Sequence, residues 1–126
     1  MNPTRSASRL ASFVHAFSGL AHVIRTQRNA WIHACASVTV MALAAWLRLG
    51  TLEWGLLILA MGLVWMAEFV NSALEATVDL ASPVAHPLAR VGKDVGAAAV
   101  LIAALAASAI GLLILGPPLA ARVFGA

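Results

Sequence analysis

Polar residues are sparse along this chain, and the gaps between them define its elements. From Ala30 to Leu47 every residue is apolar or small except His33, which predicts a first span over 30–48, closed by Arg48 and a tight turn in LRLGTLE around Gly50. A second apolar helix is predicted over 52–80. It passes through Met61 and Trp65, keeps its pattern beyond Glu68, and ends at ASPVAHP, where Pro83 and Pro87 each disfavour helix in the preceding residue. A third helix is predicted over 90–115. It is uncharged from Val95 to Leu115 and is expected to stop at Gly116-Pro117-Pro118.

The stretch before the first span, 6–28, has a different pattern. Leu10, Phe13, Phe17, Leu20 and Ile24 recur at steps of three and four, while Ser8, Arg9, Ser12, His15, His22 and Arg25 lie largely elsewhere around the helix. Such a segment is expected to lie in the headgroup plane, apolar face down. Its scattered charges deprive it of the compact apolar stretch of a secretory signal, so it is expected to be retained.

Composition agrees. Of 126 residues, 62% are hydrophobic and 10% charged, and the mean hydropathy is +0.92, far from the balance of a soluble domain. The chain reads as one all-α membrane domain, 1–126, with a surface helix and three crossings. Cys35, the single cysteine, permits no internal disulfide and reads as a packing residue. The net charge of +3 comes from scattered arginines, which argues against nucleic acid as a partner. Arg5, Arg9, Arg25 and Arg28 precede the first span and Arg90 and Lys93 follow the second, against Arg48 and Arg122 at the opposite ends. The positive-inside bias therefore predicts a cytoplasmic N-terminus and an external C-terminus. Gly92, Gly96 and many alanines on the third span permit close helix contact, and an oligomer is expected.

One feature of the greasy middle helix demands a task. Glu68, Asn71, Glu75 and Asp79 stand at offsets of 0, +3, +7 and +11, which confines them to an arc of about 80°. Aligned ionisable groups in a span face a polar cavity or a partner, not lipid. At about 1.5 Å per residue from Leu52, Glu68 lies roughly 24 Å and Glu75 roughly 35 Å in, against a hydrocarbon core of about 30 Å. The stripe thus straddles the cytoplasmic boundary, where a lipid headgroup and a soluble metabolite can meet. Spaced carboxylates hold Mg²⁺ through oxygen, a further carboxylate can take a proton from a hydroxyl, and RVGKDVG adds Arg90, Lys93 and Asp94 where phosphate would be welcome. These are parts of a phosphoryl-transfer site. Taken alone, the spacing equally suits a structural polar seam between helices, or the lining of a small oligomeric proton or cation conductor without enzymatic activity.

The order of motifs goes further. RLASFVHAFSGL, RNAWIH, EFVNSALEATVD and HPLARVGKDVGAAAVL together resemble the prokaryotic diacylglycerol kinase and undecaprenol kinase family, over about Arg9 to Leu115. The resemblance implies a homotrimer in the bacterial cytoplasmic (inner) membrane that uses MgATP to phosphorylate a lipid alcohol, diacylglycerol or undecaprenol, at a site between subunits. No P-loop or kinase glycine-rich loop is present.

By the same resemblance, Glu68 matches the general base and Asn71 the amide that positions substrate or base. Glu75 matches the principal Mg²⁺ ligand, and Asp79, Lys93 and Asp94, with Arg90 nearby, the nucleotide end. Arg9, with Ser12 on the same helix and Asn29 at the next, matches the substrate side; a plain interfacial anchor explains Arg9 as well. His33 also matches a family position, though a polar contact between helices would account for it. Where the family carries a metal-binding glutamate, this chain has Gln27, which offers an oxygen without charge. His86 reads as a solvated loop residue, and Trp31, Trp46, Trp54 and Trp65 as belt residues.

Overall fold

The computed structural model describes residues 9–125, and within them the fold is α-helical throughout: α1 (Arg9–Thr26), α2 (Arg28–Trp46), α3 (Thr51–Ala81) and α4 (Pro87–Phe124). Arg5 and the first residues of the predicted surface helix, 6–8, lie outside the described residues. α2, α3 and α4 are each long and apolar enough to cross a membrane, so this is a membrane protein by its helices as well as by its composition.

The corner between α1 and α2 is a single residue. Gln27 is extended, with φ −100° and ψ 117°, and precedes α2 without a side-chain cap, while its own N–H still reaches the Val23 carbonyl at 2.8 Å. Leu10, Phe13 and Phe17 of α1 are well exposed and only Val23 of that helix is buried, so the other described residues leave that apolar row uncovered.

Between α2 and α3 the turn is carried by Arg48, not by the glycine the sequence suggested. Arg48 has φ 56°; its N–H bonds the Ala45 carbonyl at 3.1 Å and the Leu49 N–H bonds the Ala44 carbonyl at 3.1 Å, the paired closure of a Schellman motif. Gly50 is extended and precedes α3. Its missing side chain makes room for Glu53, whose Oε2 would stand 2.7 Å from a Cβ there.

α3 is the central element, packing antiparallel on α2 along one side and on α4 along the other. At the Arg48 end the three meet around Ala44, Leu57 and Leu115, with Leu43, Trp54 and Ile114 packed against them. Toward the other end the contacts of α3 become polar.

The third span was expected to stop at Gly116, but α4 continues through Pro117 and Pro118 to Phe124. Two reasons are visible. Proline's φ near −65° is itself a helical value, so the loss is confined to two backbone donors, a defect membrane helices tolerate. On both sides of the proline pair the helix is anchored, by buried Leu115 and by the Arg122 guanidinium, 5.1 Å above the Trp46 ring. α4 also begins earlier than expected, at Pro87, because His86 Nδ1 accepts the Leu88 N–H at 3.2 Å and serves as the N-cap. His86 is thus a capping residue as well as a solvated one. Cys35, expected to pack, is exposed.

Candidate active site

The polar stripe of α3 points into the chain's own interior at one end and emerges at the other. Glu68 is 1% exposed and Asn71 7%; Glu75 is half-buried and Asp79 exposed. The four share one face of α3, and along it the side chains pass from buried to exposed toward the end of the helix.

Each member meets a different neighbour. Glu68 faces α2, where His33 Nε2 lies 3.7 Å from its Oε2. Asn71 faces α4 at Gly96, where an added Cβ would overlap the Asn71 Oδ1 and come within 2.9 Å of Leu74 Cδ2. One turn on, the Asn71 Nδ2–H donates to Glu75 Oε1 at 3.2 Å, so the amide joins the deep half of the stripe to the shallow half. Asp79 Oδ1 receives the Lys93 ammonium of α4 at 2.5 Å, both being partly exposed. Arg90 and Asp94 stand one turn apart with Nε and Oδ2 3.9 Å apart at the surface.

The close approach at Gly96 bears out the close helix contact expected of the third span, and its partner there is α3 of the same chain. Beyond Gly96, Ala99, Ala103 and Ala107 of α4 line a shallow apolar groove with Ala60 and Leu63 of α3.

Four polar atoms in this region are sealed and without a hydrogen-bond partner: His33 Nε2, Glu68 Oε2, Asn71 Oδ1 and Ser72 Oγ. A buried unpaired donor or acceptor costs roughly 1–3 kcal/mol, so such a cluster marks a place organised for something other than stability.

Not every expected residue is drawn in. Arg9 and Ser12 on α1 and Asn29 on α2 are exposed, and Gln27 is half-buried at the α1–α2 corner. Among the described residues no three or more His, Cys, Asp or Glu side chains gather as a metal cage; the carboxylates are strung along the helix instead.

Two residues near Glu68, Trp65 and Ser37, were not expected at the site. Trp65, expected in an aromatic belt, is half-buried in the polar layer, its Nε1–H donating to Ser37 Oγ at 3.2 Å; it meets His33 edge-on, with centroids 6.3 Å apart. Trp54 packs on the core cluster, while Trp31 and Trp46 are exposed. The signal was present: His33 and Ser37 are four apart on α2 and Trp65 precedes Glu68 by three, so each pair shares a helical face.

The sequence that carries this row of polar residues has known counterparts. The sequence pattern of prokaryotic diacylglycerol kinase matches residues 14–115. The chain belongs to that family. It is 41% identical over 108 residues to an undecaprenol kinase of Bacillus subtilis, covering 86% of this chain and 88% of that one. A diacylglycerol kinase of Synechocystis is 41% identical over 111 residues, 87% of this chain but only 63% of that longer protein. The Escherichia coli diacylglycerol kinase is 34% identical over 108 residues, 80% of this chain and 88% of that one. Membership makes the protein a lipid-kinase phosphotransferase, and the family's co-substrate is ATP.

Proposed function

We propose that this chain transfers the γ-phosphate of MgATP to the hydroxyl of a membrane lipid alcohol, diacylglycerol or undecaprenol, at the cytoplasmic surface of the bacterial inner membrane, as a homotrimer with its N-terminus inside. The observation that carries the reading is the Glu68 carboxylate, withdrawn from water on a membrane helix with one oxygen sealed and unpartnered. A buried carboxylate is a costly feature in a span and is kept for chemistry.

In this mechanism Glu68 accepts the proton of the lipid hydroxyl as its oxygen bonds the γ-phosphorus; the bond to the β–γ bridging oxygen breaks and ADP leaves. Asn71, tied to Glu75 and pressed on Gly96, keeps the carboxylates in register. Glu75 and Gln27 are assigned to Mg²⁺. The fit is reasonable, because Glu75 is half-buried with one oxygen held by Asn71 and the other left for a hard cation, and Mg²⁺ commonly takes one or two protein carboxylates together with phosphate oxygens. Bound there, Mg²⁺ would neutralise phosphate charge.

Lys93 and Arg90 supply cations for the nucleotide phosphates, with Asp79 and Asp94 holding them in place between turnovers. Arg9, Ser12 and Asn29, exposed on α1 and at the start of α2, are assigned to the lipid headgroup side, α1 lying along the interface with Leu10, Phe13 and Phe17 toward the acyl chains.

The test is direct. Purified protein in mixed micelles with γ-labelled ATP is offered diacylglycerol and undecaprenol side by side, together with Glu68→Gln and Glu75→Gln variants. Label is expected in at least one lipid and lost in both variants. Full transfer by both variants would remove the assigned chemistry, and ATP-independent ion flux in liposomes without lipid labelling would support a conductor instead.

A further inference from the structure

Next to the assigned base, the structure contains a contact that is nearly made. His33 Nε2 and Glu68 Oε2 are both sealed from solvent, both without a hydrogen-bond partner, and 3.7 Å apart. A hydrogen bond between them needs about 3 Å, so a small side-chain rotation closes the gap. Two orphaned groups facing each other cost more apart than together. Glu68 Oε2 is the only one of its two oxygens that is both sealed and unpartnered.

We propose that His33 is the positioning residue for Glu68. Its Nε2–H donates to Oε2, fixes the carboxylate plane, and leaves the other oxygen, Oε1, to receive the substrate proton. This inference rests on Glu68 acting as the base. It requires the imidazole tautomer protonated at Nε2, since only that nitrogen faces the acid.

The surroundings of His33 suit a fixed ring. The imidazole is 14% exposed and meets the Trp65 indole at an interplanar angle of 68°. Trp65 in turn is held by its Nε1–H to Ser37 Oγ, one turn beyond His33 on α2. Ser37, Trp65 and His33 thus form a chain of supports that ends on Glu68, and it crosses between the two helices three times. Such bracing is what keeps a reacting carboxylate within the narrow range of productive angles.

The test compares His33→Leu and His33→Gln in the full chain, in micelles, with MgATP and whichever of diacylglycerol or undecaprenol the parent protein phosphorylates. Glutamine keeps an N–H donor at similar reach; leucine keeps bulk alone. His33→Leu is expected to lower kcat roughly 10- to 100-fold while the KM values for ATP and lipid stay within about twofold, and His33→Gln is expected to recover most of the loss. A direct readout accompanies it. In ¹⁵N-histidine-labelled protein the His33 resonances, assigned by their disappearance in His33→Gln, should show a protonated Nε2 whose shift moves in Glu68→Gln.

Equal kcat losses in the leucine and glutamine variants, wild-type kcat in His33→Leu, or an Nε2 shift that ignores Glu68→Gln each overturn the assignment. If His33→Leu fails to fold, the glutamine variant and the nitrogen shift decide. Full lipid phosphorylation by Glu68→Gln would overturn the parent reading and this one together, whereas loss of activity in Glu68→Gln with no His33 effect overturns this one alone.

Discussion

Gly96 of α4 lies so close to the Asn71 amide of α3 that even a methyl group would overlap Asn71 Oδ1. The absence of a side chain at Gly96 therefore sets both the separation of two helices and the position of the amide that holds Glu75. Gly96→Ala must either push the helices apart or turn the amide. A stability loss of about 1–3 kcal/mol is expected, with lipid phosphorylation falling at least tenfold. Thermal unfolding in detergent and a kinase assay read the two effects separately. Wild-type activity in Gly96→Ala would mean that Asn71 is not held from this side.

Lys93 grips Asp79 across the mouth of the stripe. Because both side chains are partly exposed, the pair is worth under about 1 kcal/mol, so its removal is expected to show in function and not in stability. Lys93→Met should raise the KM for ATP at least tenfold, leave the KM for lipid unchanged, and shift the unfolding temperature little. An unchanged ATP dependence would release Lys93 from the nucleotide site.

At the other end of the molecule, Arg48 closes α2 in the left-handed region with φ 56°, a conformation that costs a side-chain-bearing residue roughly 1 kcal/mol and glycine almost nothing. Arg48→Gly is expected to stabilise the protein by about 0.5–1 kcal/mol without altering the kinase rate. Chemical or thermal unfolding in micelles measures it; destabilisation would show that the Arg48 side chain contributes more than its backbone strain costs.

Gln27 stands half-buried at the α1–α2 corner with no side-chain cap to hold it. A charged oxygen there would hold Mg²⁺ more firmly than an amide. Gln27→Glu should therefore lower the Mg²⁺ concentration giving half-maximal lipid phosphorylation, read from a metal titration at fixed ATP. An unaltered titration would take residue 27 out of the metal site.

Much of this was legible in the residues. Three long apolar runs and the break at ASPVAHP located α2 and α3 to within a few residues and the body of α4, because burial in lipid demands uninterrupted apolar length. The alignment of the four-residue stripe was legible too, since helical periodicity alone aligns offsets of 0, +3, +7 and +11, but not that only its Glu68 and Asn71 half is buried. The termini of the last helix were not. Pro117 and Pro118 read as a stop, and only the Leu115 packing and the Arg122–Trp46 contact carry α4 across them.

What the sequence by itself determined is a membrane chain with one polar face on its middle helix, because length and periodicity are local properties that each residue carries with it. What only the tertiary structure decided is which neighbour each polar residue meets: His33 for Glu68, Gly96 for Asn71, Lys93 for Asp79. Those pairings join helices 25 residues or more apart at the first two, and they depend on how α2 and α4 are set against α3, which no spacing within a single helix encodes.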